Sequence, residues 1–266
     1  MRTTVVTGSA GGMGIAIRSY LEGRGEKVIG VDVRDAEVIA DLSSVEGRAA
    51  MIDDIDKLCG GKLDGVVAGA GVCNDVPGDL ITSVNYYGAV ATLDRLRPML
   101  ENGESPRAVG ISSNSIYMSP ILQKLLDLYK DSDEAAARDF SREWAAKDSQ
   151  HENQVYATSK FAFAHWMRAN AVKPEWIGRG ITLNGIAPGV IATPMNSPEH
   201  LETVMALGDI YPVPARRPGT AEEIAAVVGF LLSEGASYVN GTLIDIDGGT
   251  EAAIRGSDSP SPMAVI

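Results

Sequence analysis

Short apolar runs alternate along the chain with longer stretches whose apolar positions recur at helical spacing. Thr3–Thr7 (TTVVT), Lys27–Val33 (KVIGVDV), Gly65–Ala68, Ala108–Ser113 (AVGISS), Ile181–Ile186 and Leu243–Ile246 read as strands. Between them, Met13–Gly23, Val45–Leu58, Leu80–Leu100, Val155–Val172 and Ala221–Ser233 read as helices. Nearly continuous apolar strands separated by helices predict a parallel sheet buried on both faces. The expected fold is therefore α/β: a doubly wound Rossmann sheet with helices on both faces and ligands at the carboxyl ends of the strands. No repeat or low-complexity linker divides the 266 residues, so one domain over residues 1–266 is expected.

Two stretches interrupt the alternation. Residues 116–153 are polar, carry the helix-prone SDEAAARDFSREWAAK, and read as an inserted segment. Residues 194–220 hold five prolines and few regular signals, and read as a substrate loop or lid. Its apolar Met195, Leu201, Met205, Leu207, Ile210 and Tyr211 suit an apolar substrate. The tail after Gly249 reads as partly unstructured.

Composition narrows the partners. A net charge of −12 repels phosphates and anionic lipid, which sets nucleic acid and membrane surfaces aside. The longest strongly apolar run, Ile224–Leu232, falls far short of the roughly 20 residues of a membrane helix. No run of signal-peptide length precedes the first motif, so a cytoplasmic protein acting on a small molecule is expected. Cys59 and Cys73 lie apart with no histidine cluster, so no metal site is expected and both read as small buried hydrophobes.

The candidate chemistry starts at TGSAGGMG, Thr7–Gly14, which satisfies two phosphate-loop patterns. One uses Gly8, Gly12 and Gly14; the other uses Gly8, Gly11 and Gly14. Either lets the backbone and a helix N-terminus approach a pyrophosphate. Asp32 ends the second strand, where a carboxylate accepts hydrogen bonds from an adenosine ribose and repels a 2′-phosphate. That favours NAD over NADP, and Val33 beside it offers a phosphate nothing. Asp41, in the ADLS of Ala40–Ser43, reads as an adenine-edge contact. In YATSK, Tyr156 and Lys160 share one helix face. An ammonium beside a phenol favours the phenolate, which makes Tyr156 a candidate base for an alcohol proton. ISSNS at Ile111–Ser115 ends a strand where a serine hydroxyl can polarise a substrate oxygen, and SVNYYGA carries Asn85 on the preceding helix.

Taken in order, TGSAGGMG, Asp32, DL, AGAG, SVNY, ISS, YATSK, NGIAPGVIATP and GTLIDIDGG resemble the short-chain dehydrogenase/reductase family over nearly the whole chain. The resemblance implies a catalytic set of Asn85, Ser113, Tyr156 and Lys160, Ser113 being the second serine of its pair. It implies cofactor contacts at Gly8, Gly12, Met13, Gly14, Asp32, Asp41, Leu42, Gly69, Ala70, Gly71, Tyr156, Lys160, Ile191 and Thr193. A chain this short lacks the extra substrate region of the longer epimerase branch, so Gly8, Gly12 and Gly14 become the working glycines and Gly11 a permissive one. Two departures stand out: Ala68–Gly71 lacks the family's asparagines, and Ser113 and Tyr156 are much further apart than usual. The insertion should cover the face where relatives pair helices into tetramers, favouring a different dimer. The insertion, GVDVRDAEVIADLS and ASYVNGTLIDIDGG resemble the family's branch of bacterial 3α-hydroxysteroid dehydrogenase/carbonyl reductases. It implies NAD-dependent exchange of a secondary alcohol and its ketone on a hydrophobic cyclic substrate. A monoterpenoid cyclic alcohol dehydrogenase shares the scaffold, and a non-catalytic NAD sensor is disfavoured by the presence of both Tyr156 and Lys160.

Overall fold

Valines set the two faces of the sheet. Val5 and Val6 are both fully buried, but successive side chains of a strand point to opposite sides, so they enter different cores. Val66 and Val67 divide in the same way, as do Ala108 and Val109. The computed structural model describes residues 1–73, 75–194 and 196–256. Met195 and residues 257–266 of the tail lie outside them.

The strands are β1 (Thr3–Thr7), β2 (Lys27–Asp32), β3 (Val38–Ile39), β4 (Gly65–Ala68), β5 (Arg107–Ile111), β6 (Thr182–Pro188), β7 (Ile191–Ala192), β8 (Gly219–Thr220) and β9 (Leu243–Ile246). Seven form one sheet in the order β3-β2-β1-β4-β5-β6-β9, every pair parallel; β7 and β8 pair separately. The order reverses between β1 and β4, the switch point where such sheets open a crevice.

The helices are α1 (Gly12–Gly23), α2 (Val45–Cys59), α3 (Gly78–Thr82), α4 (Ala89–Glu101), α5 (Gln123–Lys130), α6 (Glu134–Ala145), α7 (Ser149–Ala171), α8 (Pro198–Ala206), α9 (Ala221–Leu231) and α10 (Thr250–Arg255). α1 and α9 bury Ile17, Leu21, Ile224 and Val228 against one face of the sheet. α2, α4 and α7 bury Met51, Leu93, Phe163 and Met167 against the other. Each such side chain contributes about 1.5–3 kcal/mol by leaving water.

Two helices differ from expectation, and two further stretches gain definition. The stretch expected as one helix over Leu80–Leu100 is helical throughout, but Ser83–Gly88 winds as a wider π-helical turn between α3 and α4. α7 starts before Val155, because the Asp148 side chain accepts from the His151 N–H at 2.9 Å and caps a polar first turn. Residues 116–153 contain α5 and α6 and run into the first turn of α7; α5 and α6 bury Leu125, Tyr129 and Ala137 in the α2–α4–α7 core. Arg48 of α2, 3% exposed, meets Glu134 at 2.6 Å and ties this segment to the body. The tail begins with α10 over Thr250–Arg255, and the rest of the stretch expected to be partly unstructured lies mostly outside the described residues.

Candidate active site

The glycine loop joins β1 to α1 beside the switch point. Gly8 has φ +75, and a Cβ there would lie 2.9 Å from the Ala70 backbone. A Cβ on Gly14 would lie 2.0 Å from the Gly8 carbonyl oxygen, so α1 can rest on the loop only through a glycine. Gly12 faces Thr193, with the Thr193 Cβ 3.1 Å from where its own would be. Gly11 has extended backbone (φ −126) and open space around it. α1 opens without a side-chain cap or an acidic residue, which leaves its N–H groups for an anion. Met13, beside them, is half-buried on the α1 core.

Asp32 closes this end. Its Oδ2 accepts from the Ala10 N–H at 3.0 Å and its Oδ1 from the Val33 N–H at 2.7 Å. Asp41 is exposed and accepts from the Ser43 N–H at 2.9 Å, whereas the Leu42 side chain is buried in the core, so only the Leu42 backbone faces outward chemistry. Thr7 Oγ1 accepts from both Gly69 and Ala70 N–H groups at 3.1 Å, which ties the loop after β4 to the end of β1. Ile191 is buried on β7, and its carbonyl accepts from Asn196 Nδ2 at 2.9 Å. A cradle that Cβ atoms would fill, an open helix N-terminus and a carboxylate at the end of β2 together fit a dinucleotide.

The other end of the crevice gathers the remaining predicted residues. Asn85, fully buried in the π-helical turn, locks onto Val72: Oδ1 accepts its N–H at 2.8 Å and Nδ2 donates to its carbonyl at 2.9 Å. A Cβ on Gly71 would be 3.3 Å from that Oδ1 and 3.2 Å from Lys160 Nζ, so the loop after β4 touches both. Lys160 Nζ donates to the Ile111 carbonyl at 3.0 Å and sits 6.0 Å from the Tyr156 ring centre. The two serines point different ways. Ser112 Oγ turns away to donate to the Lys160 carbonyl at 2.9 Å, while Ser113 faces the Tyr156 hydroxyl.

Burial dominates the electrostatics at this end. Burial raises the Tyr156 hydroxyl well above its usual range, the neighbouring Cys73 adds to this, and the Ser113 hydrogen bond only partly opposes it. Burial also pushes Lys160 down to about 8. Burial is the largest cause of both shifts, and it acts here before any cofactor charge is added. Cys73 is half-buried, its thiol raised by burial and only partly lowered by Lys160; neither it nor Cys59 is a fully buried hydrophobe. Sequence spacing held no signal for Cys73, or for Asn114, whose Oδ1 accepts from the Tyr211 hydroxyl at 3.0 Å. Among the described residues no group of His, Cys, Asp and Glu is arranged to hold a metal ion, and no helix is long and apolar enough to cross a membrane.

Two family models match the chain. One, described as enoyl-(acyl carrier protein) reductase, covers residues 144–251; the other, the NAD dependent epimerase/dehydratase family, covers residues 4–178. The chain is 38% identical to a 3-alpha-hydroxysteroid dehydrogenase/carbonyl reductase of Comamonas testosteroni, over 96% of this chain and 98% of that protein. It is 30% identical to a coniferyl-alcohol dehydrogenase of a Pseudomonas species, over 92% and 94% of the two. The crystal structure of the 3-alpha-hydroxysteroid dehydrogenase from Pseudomonas sp. B-0831 complexed with NADH matches with a TM-score of 0.84 and 33% identity, covering 95% of this chain and 98% of that one.

Proposed function

The chain belongs to the short-chain dehydrogenase/reductase family of oxidoreductases, and from that membership we propose that it interconverts a secondary alcohol on an uncharged cyclic substrate and its ketone with NAD. The observation that carries this is the convergence of Asn85, Ser113, Tyr156 and Lys160 at the carboxyl ends of β4 and β5, beside the glycine loop. Gly8, Gly12 and Gly14 with the α1 N-terminus would hold the pyrophosphate and Asp32 the ribose; Asp41 and the Leu42 backbone would flank the adenine. Ile191 and Thr193 would hold the carboxamide, and Gly69–Gly71 would line the route between. When bound, NAD supplies the acceptor and donor of hydride.

The proton is the chain's own work. Ser113 holds the substrate oxygen toward Tyr156, whose phenol donates its proton to the ketone oxygen during reduction. Oxidation runs the proton the other way and needs the phenolate, whose nearest cationic support is Lys160. Burial pushes Lys160 down to about 8, so that support weakens as pH rises through that value. Asn85 holds the loop after β4 at its place against Lys160.

A 3α-hydroxysteroid or similar fused-ring alcohol is the substrate class we favour, from the relatives named for it. A second reading, in which a smaller cyclic alcohol such as a monoterpenol is used, keeps the same site and the same reaction. We also place the protein in the cytoplasm and as a homodimer. Turnover of NAD against sterols and cyclic monoterpenols, read by absorbance, tests the class; NADP alone supporting turnover would overturn the role of Asp32. Tyr156→Phe is expected to lower kcat by about 10²–10⁴ while NADH binding stays within about twofold. Unchanged turnover in that variant would refute the assignment of Tyr156.

A further inference from the structure

The segment from Asn196 to Thr220 crosses the carboxyl ends of β5, β6 and β9 with little of itself buried. α8 buries no residue, and Ile210 is 77% exposed. Backbone contacts fix its C-terminal end: Gly219 N–H donates to the Val190 carbonyl at 2.9 Å and Ala215 N–H to the Gly248 carbonyl at 3.0 Å. Tyr211 is different. Its side chain leaves the segment and reaches the turn that carries Ser113.

There the Tyr211 hydroxyl donates to Asn114 Oδ1 at 3.0 Å, between residues 97 positions apart. Asn114 follows Ser113 directly and opens the 3₁₀ turn that Ser113 caps. Burial raises the Tyr211 hydroxyl, and Tyr211 in turn contributes to raising Tyr156, so the two phenols face the same space. Asn114 is 3% exposed and its Nδ2 has no partner. A Cβ built on Gly189 would lie 3.2 Å from that nitrogen. Turning the amide over would exchange donor and acceptor toward Tyr211 and still leave one polar atom unpaired. A buried amide that is half-satisfied destabilises its site, where an apolar side chain of the same volume would not. Its presence therefore needs a purpose other than stability.

We propose that Asn114 is a positioning residue for the alcohol–ketone reaction: it latches Tyr211 in place, and Tyr211 closes the substrate site opposite Tyr156. This rests on the reading of Tyr156 and Ser113 as the reacting pair. The latch acts on the substrate and on the 196–220 segment, leaving the proton transfer to Tyr156.

The test uses Tyr211→Phe, which removes only a hydroxyl, Asn114→Leu, which removes the acceptor at similar volume, and the double variant. With NAD and androsterone, or whichever cyclic alcohol gives turnover, each single variant should raise KM about tenfold, the effect of one neutral hydrogen bond. kcat should change less than about threefold, and the double variant should be no worse than either single one, since both remove the same bond. NADH affinity should hold, and Asn114→Leu should melt no lower than the parent protein. In NADH-bound protein, hydrogen exchange should quicken across 198–211 in both single variants and nowhere else, a readout that needs no turnover. Unchanged exchange there, additive effects on KM, or a fall in kcat at constant KM would each overturn the latch. Loss of the Tyr156 assignment would show separately, as turnover surviving Tyr156→Phe. If Asn114→Leu fails to fold, Tyr211→Phe alone decides by its exchange and KM.

Discussion

Four glycines crowd Thr7–Gly14, and one methyl group distinguishes those that must be glycine from the one that need not be. Gly14→Ala drives a Cβ to 2.0 Å from the Gly8 carbonyl, which only a shift of α1 away from β1 can relieve. Overpacking of that kind costs about 1–3 kcal/mol, and the shift would also displace the N–H groups offered to the pyrophosphate. Gly11→Ala meets nothing closer than 4.0 Å and already has ordinary backbone. By stiffening the unfolded chain it should leave stability unchanged or raise it by up to about 1 kcal/mol. Thermal melts and NADH titration of the two variants check this: Gly14→Ala should lose tenfold or more in NADH affinity, and Gly11→Ala less than about twofold. The letters of TGSAGGMG could not separate these roles, because the difference lies in what faces each Cα in space. Tyr156 and Lys160 were legible because one helix turn joins them, and Asn85 and Ser113 because their motifs stand in a familiar order. Cys73, Asn114 and the anchoring role of Tyr211 were not, since tertiary folding alone brings them to Tyr156.

At the scale of elements, β9 carries a titratable group that the reaction does not use. Burial lifts the Asp245 carboxyl from 3.8 to about 6, with Glu251 and Asp247 adding to it and a hydrogen bond from Tyr117 and the Arg255 charge opposing. A carboxyl with a raised folded pKa binds its proton more tightly in the folded chain, so its contribution to stability is full below 3.8 and is lost as pH rises through about 6. Asp245→Asn removes that pH-dependent loss. Because Asp245 is only half-buried, solvent screening limits the gain to about 1 kcal/mol at pH 8. Paired melts of the two proteins should differ at pH 8 and converge near pH 4; a difference that grows as pH falls would contradict this account of β9. The strand itself was legible to the residue, as were β1 and β4, since short apolar runs with sharp ends admit no other reading. The π-helical turn at Ser83–Gly88 was not: one extra residue per turn leaves the apolar spacing almost unchanged while re-aiming Asn85. The early start of α7 depended on the Asp148 cap, a polar signal that hydrophobic periodicity passes over.

The whole molecule has two sheet edges, and they differ. β3 is two residues long, which protects that edge by brevity, whereas β9 offers four residues, all partly exposed. Beside β9, the connection from α9 presents a fully exposed Tyr238, and Phe230 at the end of α9 is 44% exposed. On the opposite flank, α5 and α6 already cover part of the α4–α7 surface with Leu125, Tyr129 and Ala137. A chain of net charge −12 pairs with its own copy only where apolar contact outweighs repulsion, and Phe230 and Tyr238 supply such contact at the β9 edge. The expected assembly is a two-fold dimer through α9 and β9. Light scattering should give twice the chain mass at micromolar concentration and hold it in about 1 M salt, where charge pairing is screened but apolar burial is not. Phe230→Glu combined with Tyr238→Glu should yield monomers whose NADH affinity stays within about twofold of the parent, since neither side chain lies near the glycine loop or Tyr156. Charge substitutions on the outer surface of α5 and α6 should leave the dimer intact. A dimer that survives the first pair and separates under the second would place the interface on α4 and α7 instead, and the covering role of residues 116–153 would fall with it.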